Sequence, residues 1–189
     1  MIDLCFLVVA HGVDPNMTHR SYTEVRAQAI KHRENNGVVK NNDLITLYKF
    51  WSHFLVKRFN TAMYHEFKSF ALQDADLAVR CGIEELFKMY ECSFKDRSTI
   101  GYEVISDFVE LVKAEARHGE SFGTEKLKSI LENPSLKDDY RSVIESLIDN
   151  ETRIFLSQGI GKRRSHSDIY KAVRSYHPHP SSTAMACTN

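Results

Sequence analysis

The chain has 189 residues, of which 42% are hydrophobic, and its formal net charge at pH 7 is zero. This length suits one domain, or one domain with a tail, and the hydrophobic content is ordinary for a globular core. The zero net charge excludes a protein that binds nucleic acid electrostatically with its whole surface.

Charge is distributed unevenly along the chain. Residues 20–97 hold 13 Lys/Arg against 10 Asp/Glu, residues 98–160 hold 7 against 12, and residues 161–189 hold 5 against 1. This layout indicates a mildly basic face early in the chain and a basic tail. A mixed, solvated surface is about equally compatible with the same counts.

Residues 1–20 are predicted to be a lead-in that precedes the folded domain. Residues 2–10 are apolar except for Asp3, but a membrane-spanning helix needs about 20 apolar residues. A signal peptide would start with basic residues, and none occurs before Arg20. We therefore expect a protein without a membrane segment.

The four cysteines give no sign of a metal site or a redox motif. They are Cys5, Cys81, Cys92 and Cys187. None belongs to a C-x-x-C pair, and no histidine lies at zinc-ligand spacing from two of them. Reduced thiols in a cytoplasmic protein without bound metal are the expected state.

The first predicted helix begins at Ser21. Ser21 and Glu24 form the S-x-x-E pattern of a capping box, in which each side chain accepts a backbone N–H of the other residue. The helix is predicted to continue to about Arg33 and to end at Asn35-Asn36-Gly37.

Residues 43–75 hold the only Trp and the densest run of aromatic residues. Asn42 or Asp43 is the predicted N-cap of the first helix here, and Asn60 is the predicted N-cap of the second. Apolar residues recur at helical spacing on both sides of Asn60: Leu47, Trp51, Phe54 and Leu55, then Met63, Phe67, Phe70 and Ala71. The stretch therefore predicts a helical hairpin with two apolar stripes.

Further helices follow from the same periodicity. Their apolar positions fall within Ile83–Tyr90, Val104–Val112, Leu127–Leu131 and Leu136–Ile148. The last of these predicts one longer helix at 135–155. No alternation of period two extends over any length, so the fold class is predicted to be all-α.

The chain also repeats itself at a spacing near 40. Four pairs of identical residues stand 41 apart: Phe67 and Phe108, Gly82 and Gly123, Glu84 and Glu125, and Leu86 and Leu127. Two helices per unit of this length are typical of HEAT-like arrays. We predict a short α-solenoid, a right-handed stack of three helical hairpins at 21–59, 60–99 and 100–132, within a domain of residues 21–155. A plain helical bundle is the rival interpretation.

Residues 156–189 are predicted to form a disordered basic tail, because they are rich in small and polar residues. A short helix at 167–175 is an alternative for part of it. Lys162-Arg163-Arg164 is a short basic patch for which a solvated tail is the preferred interpretation.

Tyr48–Phe67 carries the pattern Y-K-F-W-S-x-F-L-x-x-x-F-N-x-x-M-Y-x-E-F. This pattern resembles the C-terminal DM-fifteen region of the La-related proteins, and a weaker match extends from Ser21 to Leu131. The resemblance implies tandem HEAT-like hairpins that bind the 5′ cap and first nucleotides of mRNAs with pyrimidine-rich starts. It implies a role in translation or mRNA stability control, with translation factors or other proteins as further partners.

The sequence contains no nucleophile elbow, phosphate loop, H-E-x-x-H motif or paired-carboxylate motif. Its histidines occur singly, and a lone histidine on a helix or loop is more often a surface or core residue than a catalytic base. We therefore predict that the protein is not an enzyme and needs no cofactor.

A cap site needs two aromatic rings to stack on the cationic methylated guanine, an acidic side chain at the edge of the base, and basic residues at the phosphates. The resemblance places the basic positions at Lys49 and Lys88, where the family has Arg. It places the stacking tyrosines at Cys92 and near Asn133, and the acidic residue at Lys95. This sequence therefore lacks the rings and the acid at those positions.

His53 is the first-unit counterpart of the stacking position. A shift of alignment after Tyr90 would instead bring Phe94 into the stacking place. The RNA-binding residues predicted from the resemblance are Lys49, His53, Lys88, Phe94, Lys95 and Arg97. The alternative is a degenerate repeat scaffold that binds proteins and has lost cap recognition, with these lysines as ordinary solvated residues.

Overall fold

The computed structural model describes residues 21–37, 41–96, 99–117 and 119–158. These ranges contain eight α-helices and no β-strand: α1 Tyr22–Asn36, α2 Asn42–Lys57, α3 Thr61–Asp76, α4 Cys81–Asp96, α5 Tyr102–Arg117, α6 Phe122–Leu131, α7 Asp138–Leu147 and α8 Asn150–Gln158. The all-α prediction is confirmed. The predicted lead-in, Arg97 and the tail from residue 159 onward lie outside the described residues.

Consecutive helices pair into three hairpins, α1 with α2, α3 with α4, and α5 with α6. The second helices also pack in series, since α4 lies between α2 and α6. Each of the three predicted repeats holds one hairpin, as a tandem HEAT-like array requires.

Local sequence determines where the first helices begin. The Ser21 hydroxyl accepts the N–H of Glu24 at 3.3 Å, and the Glu24 carboxylate accepts the N–H of Ser21 at 2.8 Å, so the predicted capping box is formed. Asn60 caps α3 as predicted, through the N–H of Met63. The predicted cap of α2 was one or two residues too late, because Asn41 accepts the N–H of Leu44 at 3.0 Å.

The prediction of one long closing helix at 135–155 is wrong. The chain leaves the helical conformation at Ile148, and α8 starts two residues later. The Asp149 carboxylate accepts the N–H of Thr152 at 2.8 Å. This N-cap contact competes with continuation of the helix, so α7 and α8 form separately.

Gly82 and Gly123 show why the second and third units need glycine at the start of their second helices, α4 and α6. A Cβ atom on Gly82 would lie 2.9 Å from the Cα of Ala71 and from the Tyr48 ring. A Cβ atom on Gly123 would lie 2.8 Å from the Phe87 ring. The missing side chain therefore lets α4 approach the Tyr48 ring of α2, and α6 approach the Phe87 ring of α4.

The core runs between the hairpins. Trp51, Phe67, Leu86 and Phe108 are fully buried, as the periodicity predicts. Phe54 was predicted to join them but is half-buried, and its ring stacks on Phe50 at a centroid distance of 5.4 Å.

Two buried carboxylates tie neighbouring units together at equivalent positions, 41 residues apart. Asp74 on α3 accepts hydrogen bonds from Arg33 on α1 at 2.7 Å and from the Tyr48 hydroxyl at 2.5 Å. Glu115 on α5 accepts one from Arg80 at 2.7 Å. Burial raises the pKa of Asp74, while the hydrogen bonds from Tyr48 and Arg33 oppose the rise.

A second pair of acidic residues, also 41 residues apart, lies about two helical turns before the first pair on the same helices. Glu66 on α3 pairs with Arg26 on α1. Asp107 on α5 pairs with Lys68 on α3 at 2.6 Å and accepts the Tyr64 hydroxyl at 2.6 Å. The first helices of the three units are therefore joined by a ladder of ion pairs.

Replacing Trp51 with alanine is expected to lower the free energy of unfolding by about 3–5 kcal/mol, because a fully buried ring is lost and a cavity remains. Urea unfolding measures the change. Tyr102→Ala is the matched control, since this ring is 63% exposed and its loss is expected to cost less than about 0.5 kcal/mol. Equal stability of the two variants would contradict the core assignment.

Candidate nucleic-acid interface

The outward side chains of α2, α4 and α6 form one continuous surface, because α2 packs against α4 and α4 packs against α6. We call this surface the second-helix face. Its exposed lysine and histidine side chains are Lys49, His53, Lys57, Lys88, Lys95 and Lys128. Four of these residues were predicted from the sequence, and Lys57 and Lys128 were not.

Lys49 and His53 lie one helical turn apart on α2 and therefore project from the same side of that helix. Both side chains are exposed. Lys49 has no ion-pair partner among the residues that the structure describes. It is therefore able to meet an incoming anion without breaking an existing contact.

A short polar bridge connects α2 to α4 beside Lys49. The hydroxyl of Ser52 on α2 donates to Glu85 on α4 at 3.1 Å, and Lys88 donates to the other oxygen of Glu85 at 2.7 Å. Lys49 is one turn from Ser52, and Lys88 is one turn from Glu85, so the two lysines lie on neighbouring helices on either side of this bridge. The Lys88 side chain is still 53% exposed.

A groove of about 580 Å³ lies between α4 and α6. Its lining residues are Lys95, Glu125, Lys128, Ser129, Glu132 and Asn133. Two lysines face two glutamates, and none of these six side chains is aromatic. The groove therefore has mixed charge and offers no ring on which a base could stack.

Glu91 on α4 joins side chains of α4 and α6 beside this groove. Its carboxylate accepts hydrogen bonds from Lys126 at 2.6 Å, from Lys95 at 2.9 Å and from Ser129 at 3.2 Å. Burial alone would raise the pKa of Glu91, but the hydrogen bonds from Lys126 and Lys95 outweigh it and hold the pKa below its ordinary value. The same contact raises the pKa of Lys95.

Phe94 is the predicted site residue that the structure places away from the surface. It is 5% exposed, and its ring packs against Phe108 and Tyr140 at centroid distances of 5.6 and 6.2 Å. Helix α4 runs without interruption from Cys81 to Asp96, so no shift after Tyr90 turns this ring outward. Phe94 therefore does not line the groove.

Of the positions that the resemblance assigns to the cap pocket, Lys95 and Asn133 line the groove, and Cys92 is not among its lining residues. Cys92 is exposed on α4, and Asn133 lines the end of the groove. Neither supplies a ring. Of the carboxylates nearby on α4, Glu91 is engaged with its three donors, and Asp96 pairs with Lys57 at 3.6 Å.

The sequence alone did not reveal the Glu91 network. Glu91 and Lys126 are 35 residues apart, which matches no helical spacing, and they meet only because α4 packs against α6. Within the described ranges, no three His, Cys, Asp or Glu side chains cluster as metal ligands. None of the described helices has the length and apolarity needed to cross a membrane.

Comparison with known protein families matches this chain to the family described as the LARP1 HEAT repeat region. The match covers residues 11–171, which is well over half of the chain. The matched range contains all eight helices, the second-helix face and the groove.

Glu91→Gln is expected to lower the free energy of unfolding at neutral pH by roughly 0.5–1 kcal/mol, since the carboxylate holds two lysines near the surface. The folded-state pKa of Glu91 lies below the ordinary 4.5, so its contribution is present above that pH and is lost as the pH falls below it. The difference between wild type and variant should therefore shrink in acid.

Urea unfolding across this pH range measures the difference. Glu84→Gln on the same helix is the matched control, because Glu84 is exposed. A difference between wild type and Glu91→Gln that stays constant as the pH falls would contradict the role of the carboxylate charge.

Proposed function

The chain belongs to the LARP1 HEAT repeat family, and from this premise we propose that it is a cytoplasmic RNA-binding module acting in translation or mRNA stability control. The mRNA 5′ region is the proposed ligand, and the second-helix face is the proposed contact surface. No catalytic role is included in the proposal.

The exposure of Lys49 is the observation that carries this proposal. Lys49 is unpaired among the described residues, and Lys88 lies on the next helix, where its partner Glu85 bonds to Ser52, one turn from Lys49. RNA phosphates are spaced regularly along a strand, so two cations on neighbouring helices fit two positions of one backbone. His53, one turn from Lys49, supplies an exposed ring for a base.

Weak cap discrimination is part of the same proposal. Recognition of methylated guanine depends on rings that sandwich the cationic base, and the groove between α4 and α6 has none among its lining residues. Lys95 would also bring a positive charge towards a positively charged base. Lys95 is therefore proposed as a phosphate contact, and Phe94 is left out of the proposed interface.

Phosphate contacts position a nucleic acid but read no sequence. Lysine also lacks the planar fork with which arginine holds two phosphate oxygens at once. Binding by Lys49 and Lys88 should therefore depend on salt and tolerate many RNA sequences.

A protein-interaction scaffold is the second candidate function, and the charge pairing of the face favours it. Several lysines there already contact carboxylates: Lys88 with Glu85, Lys95 with Glu91, Lys57 with Asp96, and Lys128 with Glu132. A surface with both signs of charge suits a protein partner better than a polyanion.

The double variant Lys49→Glu/Lys88→Glu is expected to weaken binding of short single-stranded RNA of any sequence. The slope of log affinity against log salt should become shallower by about 0.7 for each lost phosphate contact. Fluorescence anisotropy at several salt concentrations measures both quantities.

The matched control is Lys31→Glu/Lys137→Glu, which makes the same change of net charge at exposed positions outside the second-helix face. This control should keep more of the affinity and an unchanged slope. Equal losses in the two double variants would show a diffuse charge effect, and an unchanged affinity in Lys49→Glu/Lys88→Glu would favour the scaffold function.

Capped RNA is expected to bind no more than about tenfold better than uncapped RNA of the same sequence, a difference of roughly 1.4 kcal/mol. The physical reason is the absence of rings among the groove-lining residues. Competition with free methylated cap analogue measures the preference, and unmethylated guanosine triphosphate is the matched competitor. Strong displacement by the methylated analogue alone would show that a complete cap pocket exists.

A further inference from the structure

Helix α2 carries its outward basic side chains in one line. Lys49, His53 and Lys57 are spaced four residues apart and are all exposed, so they follow one another along the same side of the helix. Arg58 comes directly after the helix and is also exposed. We call these four residues the α2 basic stripe. The helical part of the stripe is about 12 Å long.

The stretch of chain that forms this stripe contains no acidic residue. Residues 44–65 hold three Lys/Arg, two His and no Asp or Glu. The neighbouring second helices differ, because the exposed side chains of α4 include Glu84 and Asp96, and those of α6 include Glu125 and Glu132. The α2 side of the second-helix face therefore carries positive charge without interspersed negative charge, which favours a polyanion over a partner of mixed charge.

The cations of the stripe are available to a ligand. Lys49 and Arg58 have no ion-pair partner among the residues that the structure describes. Lys57 contacts Asp96 at the end of α4 at 3.6 Å, and the two side chains remain 75% and 50% exposed. An exposed pair of this kind contributes little to stability, so a phosphate can take the place of the carboxylate.

Aromatic residues stand among these cations. Phe54 directly follows His53, and Phe59 directly follows Arg58. Both phenylalanines are half-buried, so they pack against the core and still reach the surface. Proteins that bind single-stranded nucleic acid without sequence preference combine basic groups for the backbone with rings for the bases.

Two contacts show that α2 and α4 run in the same direction. Ser52 bonds to Glu85, and Lys57, further along α2, contacts Asp96, further along α4. The seam between the two helices is therefore flanked by Lys49 near one end and by Lys57 at the other.

We infer that the RNA strand runs lengthwise beside α2, from Lys49 and Lys88 to Lys57 and Arg58, and does not cross α4 to α6. Phosphates of a stacked strand recur about every 3.4 Å, so the stripe spans several of them. Lys57 and Arg58 are then further RNA-binding residues. This inference rests on the proposed function and adds to it the path of the strand.

The double variant Lys57→Glu/Arg58→Glu tests this path. It is expected to weaken binding of a short single-stranded RNA at least about tenfold at low salt, and to make the slope of log affinity against log salt shallower by about 1.4, because two phosphate contacts are lost. Fluorescence anisotropy measures both quantities. Lys31→Glu/Lys137→Glu is again the matched control, since it makes the same change of net charge outside the second-helix face, and it should lose less affinity.

A second pair of variants leaves α2 itself unchanged, which matters because Lys57 in its last turn also stabilises the helix end. Asp96→Asn removes the carboxylate that Lys57 contacts, and it should strengthen RNA binding by about two- to fivefold. Glu132→Gln is its matched control, because it removes a carboxylate 3.8 Å from Lys128 on α6 and changes the net charge equally. This control should leave the affinity nearly unchanged.

The outcomes separate the path from the proposed function. Absence of RNA binding by the wild-type chain would contradict the proposed function itself. Loss of affinity in Lys49→Glu/Lys88→Glu, with Lys57→Glu/Arg58→Glu behaving like its control, would overturn the path alone.

Two further results would overturn the path. The first is tighter RNA binding by Glu132→Gln than by Asp96→Asn, since the strand would then pass beside α6. The second is displacement of the RNA by a polyglutamate peptide at equal charge concentration, which would assign the stripe to an acidic protein segment.

Discussion

Carboxylates buried between successive hairpins must each find a donor, because an unpaired buried charge costs several kcal/mol. Asp74, Asp107 and Glu115 meet this requirement through contacts that cross from one unit to the next. Such contacts have strict geometry, so they fix how far each first helix is rotated and translated relative to its neighbour. A stack held only by apolar stripes would tolerate sliding, whereas this ladder specifies one register.

The register of the first helices determines the surface formed by the second helices. Gly82 and Gly123 let α4 and α6 approach the rings of Tyr48 and Phe87 closely. Once those distances are set, Lys49 and Lys88 lie on neighbouring helices, and Glu91 reaches Lys126. The proposed interface is therefore a consequence of buried contacts on the other side of the same helices.

The sequence predicted the features that depend on local pattern. Short stretches of sequence show the apolar spacing around Trp51 and the capping box at Ser21. A constant spacing of 41 residues shows the glycine repeat. The sequence did not reveal that the chain leaves the helix before Asp149, because an Asp can lie inside a helix as well as cap one. The hydrogen bond from Thr152 shows that Asp149 is an N-cap. The burial of Phe94 was missed because its place depends on Phe108 and Tyr140, which arrive from other units.

A cap-binding site holds the RNA phosphates with basic side chains and the methylated base with aromatic rings. Sequence changes affect these two parts differently. Exposed ion pairs such as Lys128 with Glu132 contribute only about 0–1 kcal/mol, so a phosphate can replace the carboxylate partner at little cost. A missing ring has no such substitute, because stacking needs an aromatic side chain at a fixed place in the groove. Under the proposed function, the absence of rings at Cys92 and Asn133 would weaken discrimination of the base, whereas Lys49 and Lys88 would still attract the RNA backbone.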